Sequence, residues 1–380
     1  MIYLDNAATT LVKPAAVGRE MLRAMLSCAS PGRGGHRAAM RAAELVFRCR
    51  ERAAELFCVP DPERVVFTMN ATHGLNIAIR SLAKAGDRVL ISGYEHNAVT
   101  RPLHALGVEL VIAASPLFDR EACLRALRDK IDGVTLCVCT MVSNVFGFIL
   151  PIREIAALCR ERGIPLIVDA SQAAGCLPVD FSELGAAFIA MPGHKGLLGP
   201  QGTGLLLCGT AGEPLLSGGS GSDSLVQKMP DYLPDRLEAG TQNVPGIAGL
   251  LAGIEYTLWR GTEEIMAGER QLLNSARQEL GDTPAVELFA GPEGTQSGVL
   301  SLRIPGMDCN EAAQQLSEHG ICVRSGLHCA PLAHQSADTM ETGTIRMSFS
   351  PFTGNEELLA CCDMLRTLAE KQAEKWNPCR

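Results

Sequence analysis

No run of about 18 consecutive apolar residues, the length a membrane-spanning helix needs, occurs in this 380-residue chain. The opening Met1-Ile-Tyr-Leu-Asp-Asn has neither the basic nor the apolar region of a secretory leader. A cytoplasmic protein with no membrane partner is therefore expected. Basic excess is also missing. A net charge of −8 and a pI near 5.6 argue against nucleic acid as the main partner. Cys-x-x-Cys pairs and zinc-ligand spacings are absent, so no metal site is expected. The 15 cysteines form no disulfide framework, and their odd number suits a reducing compartment. Cys137, Cys139 and Cys208 lie in apolar runs and Cys361-Cys362 in a helical pattern, where thiols act as small hydrophobes. There are no internal repeats or low-complexity linkers.

What is present is a composition that is 47% hydrophobic and only 20% charged, enough for a large core and two domains sharing one cleft. The chain is organised around Met191-Pro-Gly-His-Lys-Gly196, which follows the apolar run 186–190. A lysine at the end of a buried strand is desolvated, loses its charge more readily and becomes nucleophilic. Upstream, Asp169 closes another apolar run in Pro165-Leu-Ile-Val-Asp169. A lysine that holds an aldehyde and a carboxylate that keeps a pyridine nitrogen protonated are the pair a pyridoxal phosphate (PLP) site requires.

Taken in order, residues 1–15 read as an entry segment, followed by an alanine- and arginine-rich helical stretch broken by Ser30-Pro-Gly-Arg-Gly-Gly-His36. Arg33 and His36 read either as solvated loop groups or as ligand contacts. Short apolar runs then alternate with helical segments, near 65–67, 88–92, 109–112, 136–139 and 166–169. Helices are expected over 119–131 and 151–162. Runs that are apolar throughout imply strands covered on both faces, hence a mostly parallel sheet with its ligand beyond the strands' carboxyl ends. Thr72, His73, His96, Asn144, Asp169, Gln172, His194 and Lys195 all follow apolar runs in this way. Beyond about residue 250 come a helical region over 246–280, strands near 299–303, 321–323 and 345–349, and a helix over 310–319. Thr353-Gly-Asn-Glu356 reads as a capping box for a last helix running to about 371. The expectation is a large α/β domain over 16–250 and a smaller α+β domain over 251–380 completed by 1–15.

Five motifs in this order resemble the PLP-dependent class V aminotransferase superfamily, in its cysteine desulfurase and selenocysteine lyase branch. They are Tyr3-Leu-Asp-Asn-Ala-Ala-Thr-Thr10, Asp169-Ala-Ser-Gln-Ala-Ala-Gly175, Gly193-His-Lys195, Glu238-Ala-Gly-Thr241 and Arg324-Ser-Gly-Leu-His-Cys-Ala330. The resemblance covers essentially the whole chain and implies fold type I, with a seven-stranded, mostly parallel sheet. It implies that Lys195 tethers PLP and then moves the substrate proton. Asp169 would pair with the pyridine nitrogen, Gln172 would reach the phenolic oxygen with Asn144 nearby, and His96 would stack on the ring. Thr72 and His73, at a helix start, would take the phosphate with His194 adding a donor. Thr241 would reach the partner subunit's phosphate, which implies a homodimer.

The resemblance further implies that Arg346 clamps the substrate carboxylate, with Asn144 also at the substrate. Cys329 would attack the substrate sulfur, with His328 and Arg324 on a flexible loop helping to form the thiolate. L-cysteine would yield L-alanine and a Cys329 persulfide, passed to a dedicated sulfur-acceptor protein as in the second desulfurase group. Two departures stand out: Pro192 where the family often has Ser, and Leu327 where it commonly has His. The alternatives are a selenocysteine lyase acting on L-selenocysteine, an aminotransferase or other β-lyase, and a non-enzymatic sulfur relay.

Overall fold

The computed structural model describes residues 1–32, 34–222 and 225–376. A two-residue strand β1 (Ile2–Tyr3) and helices α1 (Ala15–Ser27) and α2 (Arg37–Leu56) open the chain. His36 caps α2, its Nδ1 accepting from the Ala39 amide at 3.3 Å, so it belongs to the solvated loop; Arg33 lies outside the described residues. The uniformly apolar runs become strands β2 (Val65–Thr68), β3 (Arg88–Ser92), β4 (Glu109–Ala113), β5 (Leu136–Thr140), β6 (Leu166–Asp169), β7 (Phe188–Pro192) and β8 (Gly204–Cys208). Their order in space is β2-β8-β7-β6-β5-β3-β4, and only the two pairings made by β8 are antiparallel. The expected mostly parallel seven-stranded sheet is present.

Helices α3 (Ala71–Leu82), α4 (Asn97–Leu106), α5 (Arg120–Lys130), α6 (Ile152–Glu161) and α7 (Phe181–Leu184) cover it on both sides. Successive residues of a strand point to opposite faces. Cys137 and Cys139 therefore join the core with α5 and α6, while Val138 between them joins the core with α3 and α4. This double coverage is why no polar alternation marks these strands.

The expected helical region over 246–280 is two helices, α8 (Val244–Arg260) and α9 (Thr262–Gly281). Gly261 separates them at φ +82°, a value that L side chains rarely adopt. Helix α8 packs on α1 and α2, and its Ile254 lies in the large core. A division between 250 and 251 therefore falls inside this helix.

A second, antiparallel sheet is built from β9 (Glu287–Phe289) and β10 (Val299–Arg303). Then come α10 (Cys309–Glu318), β11 (Ile321–Cys322), β12 (Arg324–Gly326), α11 (Pro331–Ser336), β13 (Thr344–Ser348) and α12 (Asn355–Trp376). Its strand order is β12-β13-β10-β9, and β11 pairs separately with β1 in parallel. A distinct core gathers here, with Leu4 packed among Leu300, Met347, Leu358 and both Cys361 and Cys362. The capping box is shifted by one residue. Helix α12 starts at Asn355, so Glu357 rather than Glu356 accepts the Gly354 amide, at 2.9 Å, and Thr353 Oγ1 accepts from the Ser350 amide.

Candidate active site

Four neighbouring strands of the large sheet deliver polar residues just past their carboxyl ends: β3 leads to His96, β5 to Asn144, β6 to Asp169 and β7 to Lys195. They meet in one cleft of about 220 Å³. Gln172, His194 and Thr72 line it from the large sheet's side. Arg346 of β13 and Cys329, just past β12, line it from the second sheet. Nine of the eleven residues predicted for the site are thus brought together.

Lys195 sits in a turn that its glycines make possible. A Cβ on Gly193 would lie 2.2 Å from Thr203 Oγ1, and one on Gly196 would lie 2.4 Å from the Ala174 carbonyl. The entry segment holds this turn from outside, with the Thr10 amide and Thr10 Oγ1 donating to the carbonyls of His194 and Lys195 at 3.1 Å. Burial pushes the Lys195 amine down to about 8, against the pull of Asp169. An amine poised there sheds its proton near neutral pH.

Asp169 is buried at the end of β6, and its Oδ1 accepts from the Ser171 amide at 2.9 Å and from Ser171 Oγ at 2.5 Å. Among the described residues Oδ2 has no partner, so a second acceptor faces the cleft. Ser171 was part of the sequence motif without a role, and the structure makes it the residue that orients this carboxylate. His96 caps α4, its Nδ1 accepting from the Ala98 amide at 2.9 Å, and burial lowers its ring to about 4. The Gln172 amide donates to the Ala7 carbonyl at 3.0 Å, tying the cleft to the entry segment.

At the start of α3 the side chain of Asn70 caps the His73 amide at 2.9 Å, while the amides of Ala71 and Thr72 have no acceptor among the described residues. Free N–H groups at a helix N-terminus favour an anion. The His194 ring, lowered to about 4 by burial and by Lys195 and Lys13, also has a buried Nδ1 without a partner. His73 departs from the expectation. Its ring turns back to accept from the Met69 amide at 3.3 Å and lines a different cavity. Pro192, last in β7, lines the cleft with no donor.

Arg346 is 1% exposed and donates through Nη1 to the Asn144 carbonyl at 2.9 Å. Cys329 is exposed at the cleft mouth, with Arg324 Nη2 3.9 Å from its sulfur. Its loop is held rather than loose: the Asn144 side chain donates to the His328 carbonyl and the Asn97 amide to the Cys329 carbonyl, each at 2.8 Å. His328 does not assist the thiol. Its ring is buried against Thr344 Oγ1 and stacked on His334, and burial drives it down to about 2. Thr241 is not brought to this cleft; it lines cavities beside His73 and Arg50. The loop it belongs to is anchored by a buried ion pair that sequence reasoning missed, Arg50 Nη2 to Glu238 Oε2 at 2.5 Å. Two lone charges of opposite sign 188 positions apart give no sequence signal.

The Aminotransferase class-V family model matches residues 2–360. A protein of Methanothermobacter thermautotrophicus described as "Probable cysteine desulfurase" is 33% identical over 97% of this chain and 94% of its own length. The apo structure of a cysteine desulfurase from Thermococcus onnurineus NA1 superimposes with a TM-score of 0.89 at 31% identity, covering 97% of this chain and 95% of that one. The cysteine desulfurase CsdA (S-sulfonic acid) from Escherichia coli gives 0.83 at 26% identity, over 98% and 94%. These names do not favour the selenocysteine lyase alternative. Whole-chain similarity of this kind, on a cleft built from the family's own motifs, makes the chain a member of the class-V aminotransferase family, alongside its cysteine desulfurases.

Proposed function

We propose that the chain is a PLP-dependent desulfurase that converts L-cysteine to L-alanine, with a persulfide formed on Cys329. The observation that carries this reading is an exposed thiol at the mouth of the cleft whose wall holds Lys195, Asp169 and Arg346. Unspent polar groups fit PLP: the Asp169 oxygen without a partner, the free amides of Ala71 and Thr72, and the orphaned His194 Nδ1. Lys195 would tether the cofactor, Asp169 and Gln172 would engage its ring substituents, His96 would cover the ring, and the α3 start would take its phosphate. When bound, PLP would withdraw electrons from the substrate's Cα.

The protein's own part follows from the geometry. Arg346 binds the substrate carboxylate through a fork of N–H donors, with Asn144 beside it. Lys195 Nζ, lowered to about 8, takes and returns protons near neutral pH. The Cys329 thiolate attacks the substrate sulfur. The new S–S bond forms as the substrate's Cβ–S bond breaks, and the carbon takes a proton to become L-alanine. The persulfide then passes its outer sulfur to an acceptor protein's thiol and regenerates Cys329. The exposed Leu327 beside that thiol supports contact with a protein acceptor.

We further propose a homodimer in which Thr241 completes the partner's phosphate site. The exposure of Leu22, Met25 and Leu26 on α1 and of Met40 and Phe47 on α2 supports this, since large apolar side chains left in water favour a protein partner. Gly261 is our boundary between the large and small units. Every described cysteine is a free thiol, in keeping with a reducing cytoplasm.

Cys329→Ser should abolish alanine formation from L-cysteine while leaving the cofactor's visible absorption intact; retained turnover would overturn the reading. Turnover of L-selenocysteine alone would favour the lyase instead. Light scattering should give twice the 40.5 kDa chain mass.

A further inference from the structure

Arg346 does not wait alone for a substrate. Its Nη2 donates to Asp5 Oδ1 at 2.6 Å, joining β13 to the entry segment across 341 positions. The arginine side chain is 1% exposed and the aspartate 20%. Nη1 gives one hydrogen to the Asn144 carbonyl, and among the described residues Nε is buried without a partner.

A guanidinium carries one hydrogen on Nε and two on each terminal nitrogen. Asp5 takes one from Nη2 and Asn144 one from Nη1. One hydrogen remains on each terminal nitrogen, the pair a carboxylate needs for a two-point contact. The enclosed Nε cannot serve in its place.

Asp5 is itself rigidly set. The Ser348 amide donates to the Leu4 carbonyl at 2.7 Å, the Asn6 side chain donates to the Ser348 carbonyl at 2.9 Å, and the Ala7 amide donates to Ser348 Oγ at 2.8 Å. The Tyr3 hydroxyl donates to the Asp5 carbonyl at 3.2 Å and to that of Thr9 at 2.9 Å. Asp5 therefore sits clamped against the strand that carries Arg346, two residues from its partner. Burial works against the guanidinium's charge, and Asp5 is the foremost group opposing that effect.

We infer that Asp5 is a positioning residue for substrate recognition: it neutralises Arg346 in its buried seat and turns the free fork toward the substrate carboxylate. This rests on the proposed role of Arg346 as the carboxylate clamp. Asp5 touches Arg346 and not the substrate, so its loss should appear as weaker binding of carboxylate-bearing ligands only. An amine without that group should be indifferent to it.

The test uses the PLP-loaded protein and two ligands that differ only in the carboxylate, L-alanine and ethylamine, with binding read from the cofactor's visible spectrum. Asp5→Asn should weaken L-alanine binding about tenfold and leave ethylamine within twofold. With L-cysteine, KM should rise while kcat stays within about twofold. Asp5→Glu, which keeps the charge, should recover most of the loss. If the asparagine variant proves unstable, Asp5→Ser removes the same charge and serves in its place: the inference expects weaker binding of L-alanine than of ethylamine, and a bystander would give no difference between the two ligands. Unchanged L-alanine binding in Asp5→Asn, or equal weakening of both ligands, would overturn the inference while leaving the Arg346 assignment intact. Unchanged L-alanine binding in Arg346→Ala would instead overturn the clamp assignment and the inference with it.

Discussion

Asn144 donates through its side chain to the His328 carbonyl at 2.8 Å, and through its own carbonyl it holds Arg346. One residue thus connects the buried Arg346 to the loop that presents the thiol. Its Oδ1 is buried and has no partner among the described residues, leaving one acceptor for a ligand.

Asn144→Ala removes a hydrogen bond worth about 1 kcal/mol and leaves the His328 carbonyl without that donor. The thiol should drift from its approach line, so Cys329 persulfide formation should fall roughly tenfold. Mass spectrometry after a single turnover measures it.

Lys195 fixes a pH dependence. Its folded-state pKa is lowered from 10.5 to about 8, so the reactive neutral amine accumulates as pH rises through about 8. Covalent capture of PLP by the cofactor-free protein should accelerate through that range and level off above it. Rapid-mixing absorbance follows the rate, and borohydride reduction traps the adduct. Lys195→Ala should trap none; a midpoint near 10.5 would contradict the desolvated setting.

The Arg50–Glu238 pair is about 5% exposed on both sides, and Glu238 also accepts from the Phe67 amide at 2.6 Å. Glu238→Gln leaves a buried guanidinium uncompensated, and breaking such a pair costs about 3–5 kcal/mol. Urea denaturation should register that loss. The Thr241 loop should loosen too, seen as faster amide exchange over 239–243.

Glu269 is buried in α9 and pairs with no cation among the described residues; its Oε1 faces Cys176 Sγ at 3.5 Å, and burial raises it from 4.5 to about 8. Between those two values the folded chain holds a proton that the unfolded chain has released. Stability should therefore fall as pH rises from about 4.5 to 8. Glu269→Gln should remove this residue's share of the slope, which the buried Glu95 also contributes to, raising the melting temperature at pH 8 and changing it little at pH 5. A parallel shift at both pH values would show that the carboxyl's charge is not responsible.

The sheet and most of the cleft were legible because chemistry and topology coincide there. Residues after uniformly apolar runs must emerge at the same sheet edge, and Asp169, Lys195, His96 and Asn144 do. The failures have local causes. His73 lies one position beyond Thr72 on a helix, where each residue turns the side chain by about 100°. Its ring therefore reaches Met69 rather than the cleft. His328 shares a motif with Cys329, but adjacency along the chain says nothing about direction, and its ring points to Thr344. The shifted cap at Gly354 and the break at Gly261 belong to backbone geometry that residue type only weakly constrains. Asp5 was read as part of an opening motif, since nothing in a linear string couples it to Arg346.

The pairing of β1 with β11, Ile2 to Ile321 and Tyr3 to Cys322, has a consequence for biosynthesis. At ribosomal speeds of about 5–20 residues per second, the first strand is extruded on the order of tens of seconds before its mate. All seven strands of the large sheet, and Lys195 with them, are extruded before that mate. Asp5 can meet Arg346 only once β13 has emerged, so the two halves of this buried ion pair are made far apart in time.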